Sequence, residues 1–423
     1  MTDLLNQPLT LPGGAVLPNR LVKAAMSEGM ADADNRSTQR LETLYRRWAT
    51  SGAGLLLSGN IQVDRWHLER PGNIVLDDTG GLDQLKALTA AGRSGGAHFW
   101  AQLSHTGRQV DSAINPEPLA PSPVEIDIIR GAGFSFAMPR EMTEAEIEHA
   151  IGQFAWSAGQ ARAAGFTGVQ LHAAHGYLFS QFLSPRSNRR TDRWGGSLEN
   201  RARLLLDTIA AVRAAVGPDF PIGIKLNASD FQKGGFTNAE CLRLVEWLNS
   251  SSLDLLELSG GSLEQPKQVG ASLKDEGEDF RPESTIKREA YFIEFAGAIR
   301  AAATMPVMVT GGFRSKAAME AALQAGELDL IGVGRPMIAD PSTPARLLSG
   351  EIERTLTPED GVGLFYLLAW FNLQLERLAD GREPDLDLTG EAAAAAFKPL
   401  EAGYMAALLE RRSRMAENAR RRA

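Results

Sequence analysis

Histidine, histidine and tyrosine stand at positions 172, 175 and 177, inside the segment LHAAHGYLFSQFLSPRSNRRTDRWGGSLENR. Two imidazoles so spaced can both donate an N–H to one carbonyl oxygen, and a phenol two residues on can hold a proton beside it. The same pair could instead ligate a metal or lie buried for structural reasons. A third ligand is not obvious nearby, although His105 is one possibility. Within this segment Arg193, Trp194, Gly195, Gly196, Glu199 and Arg201 read as residues that fix a loop and the start of a helix. Lys225 offers an ammonium that could be a Schiff-base amine, a phosphate contact or a salt-bridged wall. Thr310-Gly311-Gly312-Phe313 and Gly332-Val333-Gly334-Arg335-Pro336 pair glycines with a forked cation. Glycines let backbone N–H groups approach an anion, and although one such turn needs glycine anyway, two together suit a phosphate. Ser27, Asn60, Gln102 and the turn at 259–261 complete the polar candidates.

These residues need elements to aim them. Short apolar, β-branched runs at 21–25, 54–58, 98–103, 168–172, 222–226, 253–259, 306–310 and 329–334 alternate with amphipathic stretches near 38–51, 82–94, 143–164, 198–216, 238–250, 288–303, 315–325 and 341–349. Such alternation marks parallel strands joined by crossover helices. Thr143 with Glu146 forms a capping box, and Ser197 and Ser315 suit helix starts. Eight strands with eight helices predict a closed (β/α)8 TIM barrel of the α/β class, because closure removes both sheet edges; an open doubly wound sheet is the rival. In such a barrel the strand C-termini face the active site, where the polar candidates fall. The Pro-rich connection from 115 to 139 should overhang that face as a lid or wall. After Gly350, Val362, Phe365, Leu368, Leu375 and Leu378 recur at helical spacing, and an alanine-rich helix follows near 392. The expected division is a barrel over 1–352 and a C-terminal helical extension over 353–423, its aromatics serving core or interface.

Composition narrows the function classes. With 44 Lys and Arg against 52 Asp and Glu, nothing favours nucleic acid as a partner. The basic run from Arg411 to Arg422 reads as a solvated helix end whose cations suit the C-terminal dipole. Cys241 is the only cysteine, which leaves no intrachain disulfide and no cysteine-ligated iron–sulfur cluster within a subunit. MTDLLNQPLTLPGG lacks a signal-peptide pattern, and no run of about 18 apolar residues occurs, so a cytoplasmic protein without a membrane partner is expected.

At this level the chain resembles the old yellow enzyme family, the NADH:flavin oxidoreductases, across residues 5–345. The resemblance rests on PNRLVKAAMS at 18–27, AQLSHTGRQ at 101–109, the long motif at 164–201, IGIKLNAS at 222–229, VTGGF at 309–313 and GVGRP at 332–336. It implies a non-covalent FMN across the strand ends. Ala24, Ala25, Met26 and Ser27, together with Asn60, would lie at the flavin edge, Gln102 at the pyrimidine ring and Lys225 at N1 and C2=O, while Gly311, Gly312, Gly334 and Arg335 would hold the phosphate. It further implies that His172 and His175 grip the substrate oxygen and that Tyr177 donates the proton. NAD(P)H would bind transiently as reductant, and an activated alkene, a small-molecule substrate, would then take the hydride in a ping-pong cycle. A homo-oligomer is expected by the same resemblance. Ser27 departs from the Thr or Cys of many relatives, and Lys225 from their Arg, losing the fork but keeping the charge. A lyase using Lys225 as a Schiff base and a non-catalytic flavin sensor are the alternatives.

Overall fold

The computed structural model describes residues 3–126, 135–265 and 293–422. Eight parallel strands close into one barrel: β1 (Leu21–Lys23), β2 (Leu55–Gln62), β3 (His98–Ser104), β4 (Gly168–Ala173), β5 (Ile222–Asn227), β6 (Leu255–Ser259), β7 (Val307–Thr310) and β8 (Leu330–Val333). β8 pairs back onto β1 through Ile331 opposite Leu21, which excludes the open sheet. Eight helices follow the strands: α1 (Gln39–Ala49), α2 (Leu82–Gly92), α3 (Glu144–Ala164), α4 (Leu198–Val216), α5 (Asn238–Leu248), α6 (Ile293–Ala302), α7 (Lys316–Gln324) and α8 (Thr343–Ser349). The start expected for α6, at 288, lies outside the described residues.

Local sequence sets these boundaries. The Thr143 hydroxyl accepts from the Glu146 N–H and the Glu146 carboxylate returns to the Thr143 backbone, while Ser197 and Ser315 cap α4 and α7. A second capping box, Thr237 with Glu240, starts α5. β2 runs further than expected, to Gln62, because a bulge between Leu57 and Asn60 lets the strand bend past the barrel rim.

The barrel interior is layered, apolar below and polar above. Its lower layer packs Val22, Leu55, Leu57, Trp100, Leu255, Met308 and Leu330. Glycine makes room for Trp100, since a Cβ on Gly168 would lie 2.5 Å from the indole nitrogen and one on Gly223 2.9 Å from the ring. An N-terminal antiparallel hairpin, Leu9–Thr10 with Val16–Leu17, closes the bottom with Leu11 and Leu17. Polar side chains are thereby confined to the upper end, where side-chain parity turns alternate residues inward.

After α8 come α9 (Leu367–Ala379) and α10 (Gly390–Arg422), joined by the expected break. Leu375 and Leu378 are buried, whereas Phe365 is 92% exposed and Leu368 58% exposed. The reading of the basic run as a solvated end fails for two arginines. Arg411 pairs with Asp34, and Arg412 donates to the carbonyls of Ile114 (2.7 Å) and Arg65 while stacking 4.5 Å above Trp66. The end of α10 is thus a clamp on the loops after β2 and β3. Among the described residues no helix is long and apolar enough to cross a membrane.

Candidate active site

His172 lies near the end of β4 and opposite Lys225 in the β4–β5 register. Its Nδ1 accepts the Ala174 N–H at 3.3 Å, which leaves the ring proton on Nε2. His175 has a left-handed backbone, φ +62°, uncommon for a residue with a side chain. Asn227 at the end of β5 secures it by accepting the His175 N–H at 3.1 Å, and His175 Nε2 is 2.7 Å from the Ser259 hydroxyl at the end of β6. The two rings meet edge to face at 5.0 Å, and the Tyr177 ring lies 4.8 Å from that of His172.

Electrostatics assign distinct states to the three. Burial, seconded by the Lys225 ammonium, holds both imidazoles well below the usual histidine range, so they are neutral N–H donors. Burial and then the negative charge of Glu69 push the Tyr177 phenol well above its usual range, so it keeps its proton.

A buried polar chain runs across the barrel beneath them. Gln102 Nε2 donates to Gln170 Oε1 (2.8 Å), Gln170 Nε2 to Glu257 Oε2 (2.7 Å), and Lys225 Nζ is 2.8 Å from Glu257 Oε1. Gln102 and Lys225 were expected here; Gln170 and Glu257 were not. Parity could have found them: Gln170 is two residues before His172, and Glu257 two before Ser259, so each pair faces the same way.

On the other side of the mouth, past β1, Ala25, Met26 and Ser27 are half-buried. The Ser27 hydroxyl reaches Asn60 Oδ1 (3.2 Å) and Glu69 Oε2 (2.5 Å), and Asn60 Nδ2 donates to the same Glu69 oxygen at 2.7 Å. Glu69 is the residue for which the sequence carried no signal. At the ends of β7 and β8, Gly311 and Gly312 take φ of +107° and +88°, and Arg335 opens the short helix Pro336–Ala339. Arg314 pairs with Glu359, and Arg335 Nη1 is 3.7 Å from the same carboxylate. Two successive left-handed glycines beside two guanidiniums, with the buried Thr310 hydroxyl lacking a partner among the described residues, suit a phosphate. The donors and cations present therefore fit a phosphate-bearing flavin such as FMN.

His105 does not join the histidine pair. Its ring stacks on His67 at 4.2 Å, and with Asp64 they form a buried group whose ligand atoms lie within 4.8 Å of one another. His67 Nε2 accepts the Leu119 N–H and His105 Nδ1 the Gly107 N–H, so the remaining nitrogens carry protons and neither ring is set to bind a metal. Burial, then His67, pushes His105 down to about 3. Burial would raise Asp64, but the hydrogen bond from His67 and the two imidazoles outweigh it and hold the carboxyl below its usual range. The group pins the loop after β2 to the end of β3. Of the three loops whose shape should select the acceptor, 60–72, 111–139 and 262–286, the first is described throughout and the others except for 127–134 and 266–286. Arg190 holds the first of them through the carbonyls of Pro121 (3.2 Å) and Met142 (2.6 Å).

Comparison with known proteins agrees with this geometry. Residues 4–353 match the model of the NADH:flavin oxidoreductase / NADH oxidase family. The chain is 35% identical over 402 residues to NADH-dependent flavin oxidoreductase nadA of Aspergillus parasiticus, covering 92% of this chain and 88% of that one. It is 36% identical over 361 residues to NADH-dependent flavin oxidoreductase iliE of Neonectria, covering 81% of this chain but only 47% of the relative's length. Among solved structures, a 2-naphthoyl-CoA reductase complex superposes with a TM-score of 0.76 at 26% identity, over 93% of this chain and 58% of that one. The old yellow enzyme homologue of Zymomonas mobilis follows with 0.69 at 25% identity, over 84% and 95%. The chain belongs to the NADH:flavin oxidoreductase / NADH oxidase family and shares the closed barrel of the old yellow enzyme homologues.

Proposed function

We propose that this protein is an FMN-dependent NAD(P)H oxidoreductase that reduces an activated alkene, such as an α,β-unsaturated carbonyl, in two alternating half-reactions at one site. The observation that carries the reading is the meeting of two neutral imidazoles and one protonated phenol at the mouth, His172 with His175 at 5.0 Å and with Tyr177 at 4.8 Å. FMN would supply the hydride-accepting and hydride-donating ring, held at Ala25, Met26, Ser27, Asn60, Gln102 and Lys225 and by its phosphate at Gly311, Gly312, Gly334 and Arg335.

The protein's own groups then have separable tasks. His172 and His175 offer uncharged N–H donors to the substrate oxygen, which polarises the conjugated double bond without competing for a proton. Tyr177 holds the proton that the α carbon must receive. Lys225, fixed by Glu257, sets a positive charge where reduction builds negative charge. That same buried ion pair argues against the Schiff-base reading, which needs a free amine. NAD(P)H and the alkene would enter in turn from the same side, as expected of a chain that lacks a Gly-rich nucleotide fingerprint of its own.

The test is an anaerobic visible spectrum of the purified protein before and after NADH or NADPH, followed by a panel of enones, maleimides and nitroalkenes. A flavin band that bleaches with the nicotinamide and returns with an alkene is the expected result. A colourless protein that does not take up added FMN defeats the reading. A yellow protein that neither nucleotide reduces would favour the sensor alternative.

A further inference from the structure

We infer that Gln109 is a further positioning residue of this site: its side-chain amide holds the His175 backbone from the β3 side and so fixes where the His175 ring can offer its N–H. The importance of that ring rests on the function proposed above, whereas the hold on it follows from hydrogen bonds within the chain.

His175 occupies a backbone conformation that disfavours a side chain. His175 and Gly176 take successive left-handed φ values of +62° and +78°, and the Tyr177 N–H closes the turn on the Ala174 carbonyl at 3.3 Å. Such mirror-image turns favour glycine, asparagine or aspartate at both central places, so a histidine at the first stays there only if its surroundings hold it. The β5 and β6 side supplies part of that hold. Asn227 accepts the His175 N–H at 3.1 Å, the Ser259 hydroxyl meets Nε2 at 2.7 Å, and Ser262 forms an isolated parallel bridge to the same residue. From the β3 side the buried Gln109 donates its Nε2 amide to the His175 carbonyl at 3.1 Å. The fit is close, because a Cβ on Gly176 would lie 2.5 Å from Gln109 Oε1. Gln181, on the short helix Leu178–Leu183, secures the next carbonyl alike, with its Nε2 2.7 Å from the Gly176 oxygen. Without Gln109, the hydrogen bonds to His175 among the described residues come from the β5 and β6 side alone, and the turn can pivot about them.

A clamp acts only from a fixed base. Gln109 ends the segment 105–109 that follows β3, and the Leu178 N–H reaches the His105 carbonyl of that segment at 2.9 Å. Gln181 takes both the Thr106 carbonyl (2.8 Å) and the Arg108 N–H (3.2 Å). Arg108 is itself buried, donating to the carbonyls of Val124 (2.9 Å) and Glu125 (2.8 Å) and pairing with Glu264 at 2.8 Å. Gln109 is thereby anchored to the barrel and to the loops after β3 and β6, as a group must be if it is to keep a catalytic donor within about 0.5 Å of its working position.

The test uses the FMN-loaded protein with nitrogen-15 in its histidine rings. The chain has six histidines, and His175→Gly, which suits the left-handed backbone, identifies the ring of interest. Gln109→Met keeps the length of the side chain and removes its donor. It should move the His175 ring resonances and leave in place those of His98, at the start of β3. It should also slow the limiting rate at which a cyclic enone reoxidises the reduced flavin by at least about tenfold, part of the roughly 100- to 1,000-fold that loss of a whole oxyanion donor costs, with little change in the apparent affinity for the enone. In the His175→Gly background the same substitution should change that rate less than about twofold, since a residue acting through His175 then has nothing to position. Unmoved His175 resonances in Gln109→Met overturn the inference, and so does an equal effect of Gln109→Met on the rate in both backgrounds. Should Gln109→Met fail to retain flavin, Gln109→Glu, which keeps the length but offers an acceptor in place of the donor, is read by the same two measures. If His175→Gly reoxidises at the parent rate, it is the functional reading that fails, and the ring resonances alone decide the clamp.

Discussion

The sharpest prediction concerns Tyr177→Phe. The phenol is buried, its ring packs 4.8 Å from His172, and burial with Glu69 keeps it protonated well above neutral pH. Removing the hydroxyl leaves ring packing intact, and Glu69 keeps its hydrogen bonds from Ser27 and Asn60. The stability cost should be at most about 1 kcal/mol, the worth of one polar contact, so the variant should fold and keep its flavin. A positioned general acid contributes about 100- to 10,000-fold to a proton-transfer step. Stopped-flow mixing can separate the two halves of the cycle anaerobically. Reduction by NAD(P)H, which requires no proton from Tyr177, should stay within a few-fold of the parent, while reoxidation by an enone should slow at least about 100-fold. Equal slowing of both halves would refute the argument and make Tyr177 a structural residue.

Other perturbations test other links. Lys23 is buried with its Nζ bonded to the Leu57 carbonyl and 4.2 Å from the Trp48 ring, and burial, opposed by Glu28, pushes it down from 10.5 to about 8. A lowered lysine pKa means the unfolded chain binds more protons between those values; the penalty is full below pH 8 and relieved as pH rises toward 10.5. In urea titrations the stability of the parent relative to Lys23→Met should therefore climb by up to about 3 kcal/mol over that window, and a flat difference would contradict the buried charge. Glu257→Gln strips the buried Lys225 of its counter-ion and should lower stability by about 3 to 5 kcal/mol, with weaker flavin retention; an unchanged urea midpoint would show that the pair is dispensable. Arg412→Ala should raise hydrogen exchange around 64–68 and 111–115 but not in the barrel strands, and unaltered exchange in those loops would remove the clamp role.

How far the site was legible follows from what aims each residue. His172, Lys225 and Gln102 lie in or at the ends of apolar runs, so strand identity alone directs them to the mouth, and Gly311, Gly312 and Arg335 follow from the same rule. Gln170 and Glu257 obey it too, because a polar residue two places before a strand-end candidate must share its face. Glu69 is of another kind. Its loop has no periodicity, its carboxylate meets Ser27 and Asn60, and its neighbour Arg70 is held by Asn372 and Glu401, 302 and 331 positions from that arginine. The same distance hides Arg412, whose basic neighbourhood looks like a solvated end until Trp66 and Ile114 are seen beneath it. Barrel strands carry their orientation in local sequence, whereas a mouth loop takes its orientation from whatever packs on it. In this chain that is the extension beyond the eighth helix, which meets the loop after β2 at Arg70 and Arg65 and reaches the ends of β7 and β8 through Glu359 beside Arg314 and Arg335.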